Sequence, residues 1–126
     1  LNDFDKAIQL DSNYAGAFNN RGILFAILND YESSLVNYNV AISLMPNYKE
    51  AIYGRATISI LLNRYDDALY DLARVIEIDS CFGPAYYSAG KIFFKVENFD
   101  EACTQFINAS KCGVLEADSI ISKHCK

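Results

Sequence analysis

The sequence is poor in the residues and runs that catalysis or membrane insertion needs. It has one histidine, His124, and no catalytic triad can use it, since its only candidate partner, Cys125, is its neighbour on a helix and points elsewhere. There is no glycine-rich phosphate loop. The longest apolar stretch, RGILFAILND, is shorter than the roughly 18–20 residues of a membrane span. These absences predict a chain that is no enzyme by itself, uses no cofactor and does not insert into a membrane.

Positive charge is also scarce. Lys and Arg number 11 against 16 Asp and Glu, which gives a net charge of −5, and no basic cluster occurs. Nucleic acid and anionic membranes are therefore not expected partners. The acidic pairs Asp66-Asp67 and Asp100-Glu101 fall at the starts of expected helices, where they favour the helix dipole rather than forming a catalytic pair.

The length and composition are those of one globular domain. The chain has 126 residues, 52 % of them apolar and 13 % aromatic, which is enough for a core without metals or disulfides. It starts with Leu1 rather than Met and shows no signal peptide. We therefore expect it to be a piece of a longer protein.

The sequence repeats itself every 34 residues, without a gap from residue 1 to about 114. This period indicates a repeat architecture. Three of the aligned positions are Ala17, Ala51 and Ala85; Tyr31, Tyr65 and Phe99; and Tyr38, Leu72 and Phe106.

Each period contains two amphipathic helical patterns joined by a short turn. Phe18, Gly22 and Phe25, for example, recur at three- and four-residue steps. Asn residues in the turns at 29–30, 63–64 and 97–98 tolerate the left-handed conformation or cap the next helix. Each unit is thus predicted to be a helical hairpin. Small residues predict close helix crossings at the aligned positions Gly22, Ala56 and Gly90; Ser34, Ala68 and Ala102; and Ala41, Val75 and Ala109.

This pattern resembles the tetratricopeptide repeat family. The first full unit carries the signature Phe18-x2-Arg21-Gly22-x2-Phe25-x8-Ser34-x3-Tyr38-x2-Ala41-x4-Pro46. It departs from the usual pattern at Arg21 and Arg55, where Leu is common, and only this unit keeps the late proline. We interpret the two arginines as structural, pairing with acids of the second helix or covering apolar surface.

The resemblance implies an all-α fold, a right-handed superhelical solenoid of antiparallel helical hairpins. Three full repeats are expected at 15–48, 49–82 and 83–116. Residues 1–14 would be the tail of a truncated repeat, and 115–126 a capping helix that covers the last apolar face. The C-terminal stretch also resembles the ending of many bacterial proteins of this family.

The resemblance further implies a ligand groove lined by the first helix of each hairpin. An apolar strip with a few polar groups suits a peptide, and the asparagines could bond a peptide backbone. Carried over by repeat position, the groove residues are Asn19, Asn20, Ile23, Ile27, Tyr53, Thr57, Ile60, Leu61, Tyr87, Ser88, Lys91, Phe94 and Lys95.

Some of these residues have a second interpretation. Five apolar ones could instead pack between neighbouring hairpins, namely Ile23, Ile27, Ile60, Leu61 and Phe94. Lys91 and Lys95 could form an ordinary solvated face. The chaperone-binding members grip a carboxylate with basic residues, but the matching positions here carry none. They are Asn19, Ile23, Gly54, Pro84 and Ser88.

The chain has four cysteines: Cys81, Cys103, Cys112 and Cys125. No two of them form a CxxC motif, so a zinc site is not expected. Cys103 would lie near the start of the second helix of the last repeat, and Cys125 near the end of the capping helix. Because consecutive helices are antiparallel, these two ends should lie side by side. The pair is either a disulfide that fixes the cap or two buried free thiols.

These features predict a protein-interaction scaffold that binds a peptide or protein segment of unknown identity. Two alternatives remain: an array that self-associates through the exposed N-terminal half repeat, and a regulatory arm of a larger enzyme. A cytoplasmic location is expected, or an exported, periplasmic one if Cys103 and Cys125 are oxidised.

Overall fold

The computed structural model describes the backbone of residues 4–125 and the side chains of residues 13–125. Over this range the chain is all-α, as predicted, and has no strand. The helices are α1 (Phe4–Ile27), α2 (Tyr31–Leu44), α3 (Lys49–Leu61), α4 (Tyr65–Ile78), α5 (Gly83–Lys95), α6 (Phe99–Lys111) and α7 (Glu116–His124).

The turns that end α1, α3 and α5 share one backbone conformation, repeated at the 34-residue period. Asn29, Asn63 and Glu97 have φ angles of 62°, 61° and 64°. This left-handed conformation is one that asparagine tolerates better than most residues. The predicted role of asparagine is therefore confirmed twice, while the third turn holds the same shape with a glutamate.

Side chains cap the helices that follow two of these turns. The Asp30 carboxylate accepts a hydrogen bond from the backbone N–H of Ser33 at 3.2 Å, and the Asn98 side chain accepts one from Glu101 at 3.4 Å. Each bond satisfies a backbone donor that the first helical turn leaves without a partner.

The N-terminal segment differs from the expectation. Residues 4–14, predicted to belong to a separate second helix that ends in a turn, continue into α1 without a break. Position 12 corresponds to Pro46 in the turn between α2 and α3 and to Ser80 in the turn between α4 and α5. Because the chain turns at Ser80 but not at Ser12, serine in place of proline does not explain the continuous helix. The prediction for residues 1–3 concerns residues outside the described part of the chain.

The contacts divide the chain into two compact units, residues 1–64 and 65–126. In the first unit, α1 packs on α2 and both pack on α3. Its core consists of Tyr38, Ala41, Ala51 and Ile58, all at most 4 % exposed. The boundary falls within the predicted repeat 49–82, so that α3 belongs to the first unit and α4 to the second.

The ring of Tyr38 explains why glycine occurs in α1 and α3. A Cβ atom added to Gly22 would lie 2.8 Å from the ring, and one added to Gly54 only 2.5 Å from it. The hydroxyl of Ser34 donates a hydrogen bond of 2.7 Å to the carbonyl oxygen of Gly22. The small residues predicted at helix crossings therefore admit an aromatic ring and a short hydroxyl contact.

The second unit repeats this packing of an aromatic ring on a glycine, and a further helix, α7, packs on its last hairpin. A Cβ atom on Gly90 of α5 would lie 2.7 Å from the ring of Phe106 in α6. Helix α7 packs on α6, and its Ala117 joins Phe106 in a buried cluster with Ala102 and Ala109. Helix α7 lies within residues 115–126, where the resemblance implies a capping helix, and it packs against the apolar face of α6.

Two disulfides link the helices of the second unit. Cys103, in the first turns of α6, pairs with Cys125 at the end of α7, with Cα atoms 5.7 Å apart. Cys81, before α5, pairs with Cys112, after α6, with Cα atoms 5.3 Å apart. The second pair was not foreseen, although the same antiparallel geometry brings the two ends of the α5–α6 hairpin together.

Adding a methyl group at Gly54 should destabilise the first unit. We expect Gly54→Ala to lower the free energy of unfolding by about 1–3 kcal/mol, because the new methyl overlaps the ring of Tyr38, which has little room to move at 4 % exposed. Urea denaturation followed by circular dichroism measures this change.

Gly16→Ala is the matched control. A Cβ atom there meets nothing closer than the Tyr48 hydroxyl at 4.0 Å. Since Gly16 lies inside α1, alanine should raise stability by about 0.5–1 kcal/mol. Equal effects at the two glycines would contradict the assigned role of Tyr38.

Each disulfide should stabilise the second unit by limiting its unfolded chain. The two bonds span 31 and 22 residues, so replacing either cysteine pair by serine should cost roughly 3–4 kcal/mol. Alkylation without reductant, followed by mass spectrometry, should find no free thiol. Four alkylated cysteines in the folded protein would show that both pairs are reduced.

Candidate functional site

The predicted groove residues of the first unit lie on two helices that contact each other, α1 and α3. We call this set the first-unit face. Its members are Asn19, Asn20, Ile23, Ile27, Tyr53, Thr57, Ile60 and Leu61.

The aliphatic residues of the first-unit face are largely open to solvent. Ile23 is 44 % exposed, Ile27 71 % and Leu61 54 %. These three are therefore not core residues, although that was their alternative interpretation. Ile60 is half-buried and stays compatible with either role. An exposed group of aliphatic side chains is a feature of interaction surfaces.

The two asparagines differ sharply in environment. Asn20 is exposed, whereas Asn19 is only 7 % exposed. The side-chain oxygen of Asn19 is buried and has no hydrogen-bond partner among the described residues. Such an acceptor costs on the order of 1–3 kcal/mol, and because it is buried a ligand would reach it only after neighbouring side chains move.

Tyr53 and Thr57 occupy successive turns of α3 on the same face. The Thr57 hydroxyl donates a hydrogen bond of 3.0 Å to the backbone oxygen of Tyr53. Tyr53 is half-buried and so combines a packed ring with an accessible edge. Tyrosine in this setting is a common anchor at protein interfaces.

The predicted groove residues of the second unit lie on α5, and we call Tyr87, Ser88, Lys91, Phe94 and Lys95 the second-unit face. The ring of Tyr87 meets that of Phe106 edge-on, with centroids 5.7 Å apart. The Lys91 ammonium lies 5.0 Å from the centroid of the Tyr87 ring. Lys91 is exposed, so this cation–π contact adds only a modest attraction and is compatible with a solvated face.

Two members of the second-unit face serve packing instead. Phe94 meets the rings of Phe99 and His124 edge-on, at centroid distances of 5.2 and 5.1 Å, and it packs against the core cluster of the second unit. Ser88 is 8 % exposed and already has an interaction partner. For Phe94 the structure supports the core interpretation.

Among the described residues, Tyr38 has a clearly shifted pKa, and its position in the core accounts for the shift. Burial raises the pKa of Tyr38, and a hydrogen bond with the Ser34 side chain offsets part of this effect. Tyr38 packs in the core against Gly22 and Gly54 and belongs to neither face. Perturbed groups often mark functional sites, but here the closely packed ring is a sufficient cause.

The two arginines that depart from the repeat signature have different surroundings. The Arg21 guanidinium lies over the ring of Phe18, 5.5 Å from its centroid. Arg55 donates a hydrogen bond of 3.0 Å to the side-chain oxygen of Asn39 in α2. This contact joins Arg55 to an amide of α2, the second helix of the preceding repeat.

The described residues contain neither a membrane-spanning helix nor a metal-binding cluster. No helix among them is long and apolar enough to cross a membrane. No group of three or more His, Cys, Asp and Glu side chains there is placed to hold a metal ion.

Sequence comparisons name no relative, while structural comparisons identify the fold. No family model matches the chain, and no curated protein does.

The Arabidopsis OM64 TPR domain matches with a TM-score of 0.83 at 18 % identity, over 90 % of this chain and 98 % of that one. The first TPR of Spaghetti (RPAP3), bound to the HSP90 peptide SRMEEVD, matches with a TM-score of 0.82 at 18 % identity, over 89 % and 90 %. MamA matches with a TM-score of 0.76 at 24 % identity, over 94 % and 67 %. The chain therefore has the all-α helical-repeat fold of tetratricopeptide repeat domains.

Proposed function

We propose that this chain is a non-enzymatic scaffold that binds peptide or protein segments, with the first-unit face and the second-unit face each acting as a binding surface of its own unit. The observation that carries the proposal is the exposure of Ile23, Ile27 and Leu61, at 44, 71 and 54 %, at positions named from the repeat register. Aliphatic side chains gain free energy when a partner removes them from water. Structures of this fold with bound peptide support the same use here.

Each face, taken by itself, suits a different kind of ligand group. The first-unit face offers exposed aliphatic side chains, which suit apolar side chains of a peptide. The second-unit face offers Tyr87 with Lys91 over its ring. That pair suits a polar or acidic group next to a flat apolar one.

The partner that we propose is not a chaperone tail held by a carboxylate clamp. Both TPR domains of Spaghetti (RPAP3) were solved with the HSP90 peptide SRMEEVD. At the positions that supply basic clamp residues in such domains, this chain has Asn19, Ile23, Gly54, Pro84 and Ser88. None of these carries a positive charge to meet a terminal carboxylate.

Removing one tyrosine from each face should abolish binding. We expect Tyr53→Ala combined with Tyr87→Ala to lose the partners that the unchanged chain retains, because both rings are half-buried anchors with an accessible edge. Affinity capture from the source cell, read by quantitative mass spectrometry, compares the two proteins.

Tyr70→Ala is the control for this experiment, since Tyr70 is 74 % exposed on α4 and belongs to neither face. It should retain every partner. Partners that survive the double substitution unchanged would mean that the two faces are not the binding site.

A second candidate, self-association, is favoured by one observation. Leu24 and Leu28 near the end of α1 are 53 and 63 % exposed, beside the exposed Ile27. Aliphatic residues in such a group could be covered by another copy of the chain. The apolar side chains of residues 1–12, to which we first attributed self-association, lie outside the described residues.

Light scattering separates the two candidates. A peptide-binding scaffold should keep the mass of one chain as its concentration rises. A mass that rises in the unchanged chain but not in Leu24→Glu with Leu28→Glu would replace the first proposal by self-association, because only an apolar contact is lost with these leucines.

We propose the exported alternative for location, in place of the cytoplasmic one. Disulfides persist in oxidising compartments and are rare in the cytosol, and two cysteine pairs here have bonded geometry. Alkylation of protein taken directly from its source cell tests this, and four reduced cysteines would return the proposal to the cytoplasm.

A further inference from the structure

A cavity of about 180 Å³ lies in the second unit, between α4 and α6, with α5 as its floor. Its walls are aliphatic side chains of α4, among them Leu72 and Ile76, and its floor is Ala89 and Phe93. Two polar residues of α6, Glu101 and Gln105, complete the lining. We call this the α4–α6 socket. It is not part of either proposed binding face.

The 34-residue register explains why the socket is open. Ala89 stands where the two preceding repeats carry Arg21 and Arg55, and Ala73 stands where the first repeat carries Asn39. In the first unit, Arg55 reaches Asn39 with a hydrogen bond of 3.0 Å. Both partners of that contact are alanine in the second unit, and both alanines line the socket. The socket is thus the space that an arginine side chain occupies one repeat earlier.

The charge of the socket comes from one carboxylate. Gln105 donates a hydrogen bond of 2.9 Å from Nε2 to Oε2 of Glu101, which orients the acid. Arg74, next to Ala73 in the chain, pairs instead with Glu77 at 3.5 Å and does not line the socket. A half-buried carboxylate on an apolar wall is stabilised by a cation that also brings apolar surface.

We propose that the α4–α6 socket binds an arginine side chain supplied by a protein partner. Its three-carbon stem would pack on Leu72 and Ile76, its guanidinium plane would lie against Phe93, and its N–H fork would meet Glu101. Arginine fits better than lysine, since it is planar, less strongly hydrated and able to bind a carboxylate with two hydrogen bonds. The net charge of −5 further favours a cationic partner.

The socket can work independently of the second-unit face. Successive residues of a helix are rotated by about 100°, so Ala89 and Phe93 lie on the side of α5 opposite to Tyr87, Lys91 and Lys95. A partner could therefore engage one side of α5 with an arginine while a peptide covers the other. A substitution that abolishes binding at the socket should not change binding at the second-unit face. The two proposals can therefore be tested separately.

Small probes test the socket directly on the 126-residue chain. N-acetyl-arginine methylamide should shift the methyl resonances of Leu72, Ile76 and Ala73 in a saturable way in nuclear magnetic resonance spectra. N-acetyl-norleucine methylamide, which has the stem without the charge, should bind about tenfold more weakly or worse, since it cannot bond Glu101. N-acetyl-lysine methylamide should fall between them.

Two variants assign the effect to the socket. Glu101→Gln should lower the affinity for the arginine probe about tenfold, because it removes the charge that the guanidinium meets. Asp100→Asn removes an equal charge from an exposed neighbour that does not line the socket, and should leave binding within about twofold. Equal losses in the two variants would overturn the proposal, since a general charge effect would then explain binding.

Filling the socket from within provides the final test. Ala89→Arg restores the residue of the preceding repeats, and it should fold with native spectral dispersion and no longer respond to the probe. If that variant fails to fold, Ala73→Asn narrows the same space from the α4 side and should weaken binding of the arginine probe.

Three results would overturn the proposal: norleucine binding as well as arginine, no probe shifting the socket methyl groups, or the same shifts appearing without probe as protein concentration rises. The last result would mean that another copy of the chain occupies the socket.

Discussion

The structure depends on an aromatic ring of a second helix packed against a glycine of the first. Tyr38 meets Gly22 and Gly54, and Phe106 meets Gly90, at distances that leave no room for a Cβ atom. The ring supplies the buried area, and the missing side chain lets it reach the opposite backbone. Other side chains of the first helices stay exposed, among them Ile23, Ile27 and Leu61 of the first-unit face.

Much of this could be predicted from the sequence because the period repeats one set of local requirements. The turn at Asn29 needs a left-handed residue, and the start of α2 needs a cap such as Asp30. The left-handed turn recurs at residues 63 and 97, each 34 residues further on, whereas a capping side chain recurs at Asn98 but not at Arg64. The hairpins and the covering helix α7 follow, since an apolar helix face needs a partner wherever it occurs.

The departures from the period were harder to predict. The 34-residue period predicts a turn before Ala15, but α1 continues from Phe4 to Ile27. Repeat position alone allowed Phe94 to lie either in the groove or in the core, and its edge-on contacts with Phe99 and His124 favour the core. Alignment does show that alanine replaces arginine at position 89. That this replacement leaves an open cavity depends on how α4 and α6 are spaced, which the sequence does not state.

The two disulfides also change how the second unit would respond to a pulling force. Cys81–Cys112 and Cys103–Cys125 enclose overlapping loops. Tension applied at residues 81 and 125 would pass through one bond, then along the stretch from 112 back to 103, then through the other bond. Helices α5 and α7 lie almost wholly outside that path. No cysteine precedes Cys81, so a chain stretched from its ends would extend fully up to residue 81, while the part from 81 to 125 would extend only between 103 and 112.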